Sequence, residues 1–167
     1  MRDPKDDGPD YKLLRSDPEK FLAMVQDHIR RYPRDPIGYF QRHHAWEKLG
    51  RKDLALKDLD YSLELEPHWA TFLSRGCLLR GMGRYEDAIA DLNRAETADP
   101  EVWPTAFGPL YRADCYARLG NEAAALADCA QLPEDHWTPG VFGTPAGNKH
   151  EVTTKIGEIA RRHRRGS

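Results

Sequence analysis

An all-α solenoid, helix pairs stacked in series, is the fold class this sequence predicts. Two observations predict it. Residues 69–100, WATFLSRGCLLRGMGRYEDAIADLNRAETADP, read as two short amphipathic helices joined at Gly83 and closed by Pro100. The same pattern then recurs along the chain. Tyr39, Trp46, Gly50, Ala55, Leu59, Ser62 and Pro67 stand 33 residues before Phe72, Leu79, Gly83, Ala88, Leu92, Ala95 and Pro100. Arg112, Ala113, Tyr116, Gly120, Ala125 and Cys129 follow at a shift of 37. A near-constant period of this length is the signature of a repeat array.

Residues 1–16 contain MRDPKDDGPD, charged and broken by Pro and Gly, and are expected to fray. Asp17-Pro18-Glu19 starts a helix: Asp can cap, Pro fits the first helical position, and the acid complements the dipole. That N-terminal helix, within 17–33, should bury Phe21, Leu22, Val25 and Ile29 before Pro33 and Pro36 stop it. Three pairs then fill 36–132. Their helices are expected at 37–49 and 52–65, at 69–82 and 85–98, and from 108–109 to 119 and 122–131. Pro109 is tolerable only in a first helical turn, since an interior Pro costs about 3 kcal/mol; the alternative is a helix that starts near Thr105 and kinks at Pro109. Residues 133–148 carry loop chemistry but also Trp137, Val141 and Phe142. Such a segment is expected to be ordered, with those three side chains packed down and docking slightly favoured beside Leu110 and Asp114. Asn148 can cap a last helix over 149–165, with Val152, Ile156, Ile159 and Ala160 on the face that closes the array.

The slots are those of a known motif. Phe72, Gly76, Leu79, Ala88, Leu92 and Pro100 resemble the tetratricopeptide repeat, and the resemblance extends over about 36–132. It implies a right-handed α-solenoid of three helix pairs, with an N-terminal helix and a C-terminal capping helix, as a single domain over 1–167. It also implies a scaffold, not a catalyst: a protein–protein interaction module holding a peptide or protein segment in a concave groove. Carried over slot by slot, the groove would present Phe40, His44 and Glu47, then Leu73, Cys77 and Arg80, then Leu110, Asp114 and Ala117. Phe40, His44 and Ser74 stand where some relatives use Lys and Asn to clamp a C-terminal carboxylate, which argues against that specificity here.

Bulk properties restrict other readings. A net charge of −2 gives no global attraction for nucleic acid or membranes. Three cysteines, an odd number without paired spacing, argue against a disulfide scaffold and for a reducing cytoplasm. No apolar run is long enough to span a membrane. A homodimer is compatible with this composition.

Arg42, Arg75 and Arg112 recur in one slot, and Asp58, Asp91 and Asp128 in another. Pairing within each repeat is the expected arrangement, since the carboxylate matches the guanidinium fork. His43 occupies the slot of Gly76 and Ala113, where two helices come closest, so local repacking is expected there, the alternative being a deliberate polar element beside His44. His43 and His44 are expected on different helix faces. No C-x-x-C or H-x3-H unit occurs, and neither metal nor cofactor is expected. Residues 143–149 lack the spacing of a phosphate loop. The run Arg161-Arg162-His163-Arg164-Arg165 supplies the alternative function, an accessory contact to nucleic acid or an anionic surface. Catalysis by Asp135, His136 and Lys149 is the weakest reading, and no catalytic residue is assigned.

Overall fold

The computed structural model describes residues 11–105, 107–140 and 143–165. The fraying expected for Met1 to Pro9 and the packing expected of Val141 and Phe142 lie outside the described residues. Among those described there are nine helices and one short strand pair. No described helix is long and apolar enough to cross a membrane. Contacts divide the chain into two compact units, Met1–Pro67 and His68–Ser167.

The first unit holds α1 (Tyr11–Ser16), α2 (Pro18–Arg31), α3 (Pro36–Lys48) and α4 (Lys52–Leu65). Asp17 caps α2 by accepting from the Lys20 amide at 3.0 Å, and Pro18 sits in its first turn. Asp35 caps α3 in the same way through the Ile37 amide at 3.0 Å. Phe21 and Val25 of α2 are buried with Leu14 of α1 and Ala45 of α3. Order therefore begins before residue 17. Leu13 and Leu14 bring apolar surface to this cluster, and one helical turn is the short route that delivers both.

The second unit holds α5 (Trp69–Gly81), α6 (Tyr85–Ala98), α7 (Gly108–Arg118), α8 (Glu122–Ala130) and α9 (Lys149–Arg164). Consecutive helices pack on one another, and α9 packs on both α7 and α8. Its Val152, Ile156 and Ala160 enter a core with Leu110, Ala113, Ala117, Ala125, Cys129 and Leu132. Asn148 and Glu151 form a complete capping box at the start of α9. The helix pairs turn at Gly50, Gly83 and Gly120, each with φ between 72° and 78°, a region that costs a side chain energy.

The loop before α9 folds as a two-rung ladder, β1 (Trp137–Thr138) against β2 (Gly147–Asn148), with Trp137 opposite Asn148. Trp137 does not pack down: it is 65% exposed, while Thr138 is fully buried. Successive strand residues face opposite ways, so only one of the two can turn inward. The loop is held instead by Thr138, His136 and Thr144, all buried. Lys155 Nζ also donates to the Ala146 carbonyl at 2.6 Å. His136 lies edge-on to Phe107, ring centroids 5.5 Å apart. Phe107 heads α7 with φ 61°, the one described non-glycine residue at positive φ.

Candidate functional site

Each of the three helix pairs is braced by one arginine and one aspartate sixteen residues apart. Arg42 grips Asp58 through Nε at 2.8 Å and Nη2 at 2.6 Å. Arg75 grips Asp91 at 2.6 and 2.9 Å, and Arg112 grips Asp128 at 2.9 and 2.7 Å. Two parallel bonds to one carboxylate fix geometry as well as energy. The three acids are buried, so the pairs belong to the frame and offer no ladder to a ligand. The Asp58 hydrogen bond raises the pKa of Arg42 further. Arg112 is the most encumbered: Nη1 also donates to Asn93 at 2.7 Å and to Glu96, and its guanidinium lies over the Trp103 ring at 4.8 Å.

The residues expected to face a ligand divide by burial. In the first unit, Phe40 and His44 of α3 are half-buried and Glu47 is exposed. In the second unit, Leu73 and Cys77 of α5 are half-buried. Arg80, Leu110, Asp114 and Ala117 are buried. Leu110 and Ala117 sit in the core under α9. Arg80 Nη1 donates to Asp114 Oδ2 at 2.6 Å, and Arg118 Nε lies 3.3 Å from both oxygens of the same carboxylate.

His43 is 1% exposed. Its Nδ1 donates to the Phe40 carbonyl one turn back, and its Nε2 has no hydrogen-bond partner. An unsatisfied buried polar atom typically costs about 1–3 kcal/mol. Contrary to the expectation of divergent faces, the His43 and His44 rings lie together, centroids 3.8 Å apart and 40° between planes. Neighbouring Cβ atoms diverge around a helix, but an imidazole is long enough to swing back across that angle. Phe40 and Tyr11 stand edge-on to His44 at 5.4 and 5.9 Å and hold it there. Burial lowers the pKa of His44 to about 4 and that of His43 well below the ordinary value, with His44 contributing to the latter. Both rings are neutral at pH 7. Partial desolvation raises the Glu47 carboxyl, and Lys52 opposes the shift.

Elsewhere the surface is engaged. Arg161 pairs with Glu122, and Arg164 Nη1 lies 3.9 Å from the same carboxylate, so the basic run is partly neutralised within the fold. Lys149 Nζ donates to Glu134 at 2.7 Å and to the Ala130 carbonyl at 3.2 Å, while its amide donates to the His136 carbonyl. Asp135 is exposed, His136 is buried, and the Lys149 ammonium is engaged by Glu134.

Comparison with known proteins agrees with this geometry. Residues 71–102 match the family model described as the tetratricopeptide repeat. A MamA RS-1 ArsTM double mutant superposes with a TM-score of 0.70 at 19% identity, over 92% of this chain and 85% of that one. MamA 41-end from Desulfovibrio magneticus RS-1 gives 0.68 at 18%, over 94% and 92%. The C-terminal part of a TPR repeat-containing protein from Cytophaga hutchinsonii gives 0.65 at 16%, over 90% of this chain and 56% of that one. The fold is that of the tetratricopeptide repeat. No curated protein matches the chain in sequence.

Within the tetratricopeptide frame, two features escape a slot-by-slot reading. Arg80 and Asp114 lie 34 residues apart on first helices of different repeats and have no counterpart with the same residue types in the first repeat. The His43, His44 and Glu47 grouping arises because the first repeat alone places a ring where Gly76 and Ala113 stand. The closeness of that slot is real in the second repeat, where a Cβ on Gly76 would lie 2.9 Å from Leu92 Cγ.

Proposed function

We propose that the chain is a non-catalytic interaction module that holds a peptide or protein segment. The observation that carries this reading is the division of labour within each repeat. The Arg–Asp pairs lock the helix pairs internally, while Phe40, His44, Glu47 and Leu73 on the first helices stand half-buried or exposed. Phe40, His44 and Glu47 form one contact patch on α3, and Leu73 and Cys77 another on α5. Arg80, Leu110 and Asp114 act from beneath, as the support that keeps α5 and α7 in place. Apolar and soft side chains left half-exposed suit a partner that brings its own apolar anchors. Tetratricopeptide folds serve as scaffolds for many partners, and fold alone does not choose among them.

The test is affinity capture from the source cell with the full chain, set beside a Phe40→Ala, Leu73→Lys variant whose helicity is intact by circular dichroism. Partners that the full chain retains and the variant loses are the expected result. An identical partner set for both removes these patches from the site. The Arg-tail reading is weaker, because Glu122 already engages Arg161. Binding that falls steeply with salt would revive it.

A further inference from the structure

The geometry points to a divalent transition-metal site on α3, formed by His43 Nε2, a ring nitrogen of His44 and the Glu47 carboxylate. Ligand atoms of the three residues lie within 4.8 Å of one another. His43 supplies the decisive detail. Its Nδ1 carries the proton, because it donates to the Phe40 carbonyl. Nε2 therefore bears a lone pair, is buried, and has no donor to satisfy it. The nearest carboxylate oxygen, Glu47 Oε2, stands 3.7 Å away and is also an acceptor. Two acceptors that face each other at this distance call for a positive centre between them. A proton on Nε2 would serve those two atoms alone. A dication carries more charge and recruits the second imidazole as well.

The surroundings fit that assignment. A metal-binding histidine characteristically donates its other ring nitrogen to a carbonyl or carboxylate, which fixes the tautomer. His43 already does so. The His44 ring is held by Phe40 and Tyr11. Imidazole and carboxylate donors suit zinc, copper and nickel. Two zinc ligands at about 2.0–2.1 Å from the ion stand at most about 4.2 Å apart, so small side-chain rotations close the set. Glu47 is exposed, which gives the ion a route from solvent. Three protein ligands leave a coordination position to water. This site shares His44 and Glu47 with the contact patch on α3, and metal binding by the chain alone is read separately from partner capture.

The test uses the full chain, free of any affinity tag, titrated with Zn2+ by calorimetry and with Co2+ by visible absorption. One Zn2+ per chain and a Co2+ d–d band are expected. His44→Ala and Glu47→Gln should each weaken binding by tenfold or more, whereas exposed His150→Ala should leave it unchanged. His43→Ala empties a buried slot and can unfold α3. Its effect is therefore read instead in the intact chain, as a shift of the His43 ring resonances on Zn2+ addition. Wild-type affinity in either ligand variant overturns the site. So does loss of binding in His150→Ala, or the absence of saturable binding.

Discussion

Arg80 on α5 and Asp114 on α7 meet at 2.6 Å with both side chains almost wholly out of water. This pair ties two first helices of the second unit together. A buried pair is worth little against a well-packed apolar replacement, yet removing one partner strands a charge. Asp114→Ala is therefore expected to cost about 3–5 kcal/mol in urea unfolding. The double variant Arg80→Met, Asp114→Leu should recover most of that loss. A double variant no better than Asp114→Ala would show that the pair supplies more than charge cancellation.

Arg75 and Arg162 give a sharper contrast of buried with exposed charge. Asp91 is buried and held by Arg75, with Arg94 adding a bond at 2.9 Å from the solvent side. Arg75→Ala should cost about 3 kcal/mol, a fall of roughly 6 °C or more in a chain of this size. Arg162 is exposed, and Arg162→Ala should stay within about 0.5 kcal/mol. Thermal melts of the two variants check this, and equal melting temperatures would refute it.

What could be read before the structure follows from what repeats. Arg42, Arg75 and Arg112 announced their partners because each acid recurred with its base. Asp17-Pro18 and Asn148 announced α2 and α9 because capping is local chemistry. Arg80 and Asp114 meet across repeats, so no single unit contained the relation. The meeting of His43 and His44 is not legible in their spacing, because backbone spacing sets where a Cβ points and leaves the end of a ring free. The exposure of Trp137 is not legible either, because apolar area alone does not choose the face of a strand, and the alternation there gives the inward place to Thr138.

Gly108 is required by a close approach and Gly83 by a torsion. A Cβ on Gly108 would fall 2.2 Å from Trp103 Cε3. That ring is buried, lies against Arg112, and donates to Gln131 at 3.2 Å. Gly108→Ala should reach the upper end of the overpacking range, about 3 kcal/mol. At Gly83 nothing lies within 4 Å, and only φ 78° resists a side chain. Gly83→Ala should cost about 1–2 kcal/mol. Denaturant midpoints in the reverse order would contradict this assignment.

The three thiols should react in a fixed order at pH 8. Burial, then the charge of Asp114, pushes Cys115 up to about 12, and burial pushes Cys129 up to about 11. Raised values mean that the thiolate is scarce below those pH values, and the thiolate is the nucleophile. Cys77 is half-buried and the other two are buried. Iodoacetamide on the native chain, followed by peptide mass mapping, should modify Cys77 first. Cys115 and Cys129 should follow at least tenfold more slowly until denaturant is added. Native-state labelling of Cys115 at the rate of Cys77 would overturn the order.

The ladder before α9 allows a last contrast, in which the smaller residue matters more. Trp137 is the larger side chain by far, but at 65% exposure its removal uncovers little that was dry. Thr138 is fully buried, and its hydroxyl accepts the Gly140 amide at 3.2 Å. Trp137→Ala should therefore lie within about 0.5 kcal/mol of the parent. Thr138→Ala removes a buried methyl, worth about 0.8 kcal/mol. It also removes a hydrogen bond worth about 1 kcal/mol and leaves the Gly140 amide without its acceptor. A combined loss of about 2 kcal/mol is expected in urea unfolding. Replacing 138–147 by a short Gly/Ser bridge should cost at least as much, because Thr144 and the Lys155–Ala146 bond go with it. A Trp137→Ala variant less stable than Thr138→Ala would mean that the indole packs against the fold in solution and that the strand presents its other face.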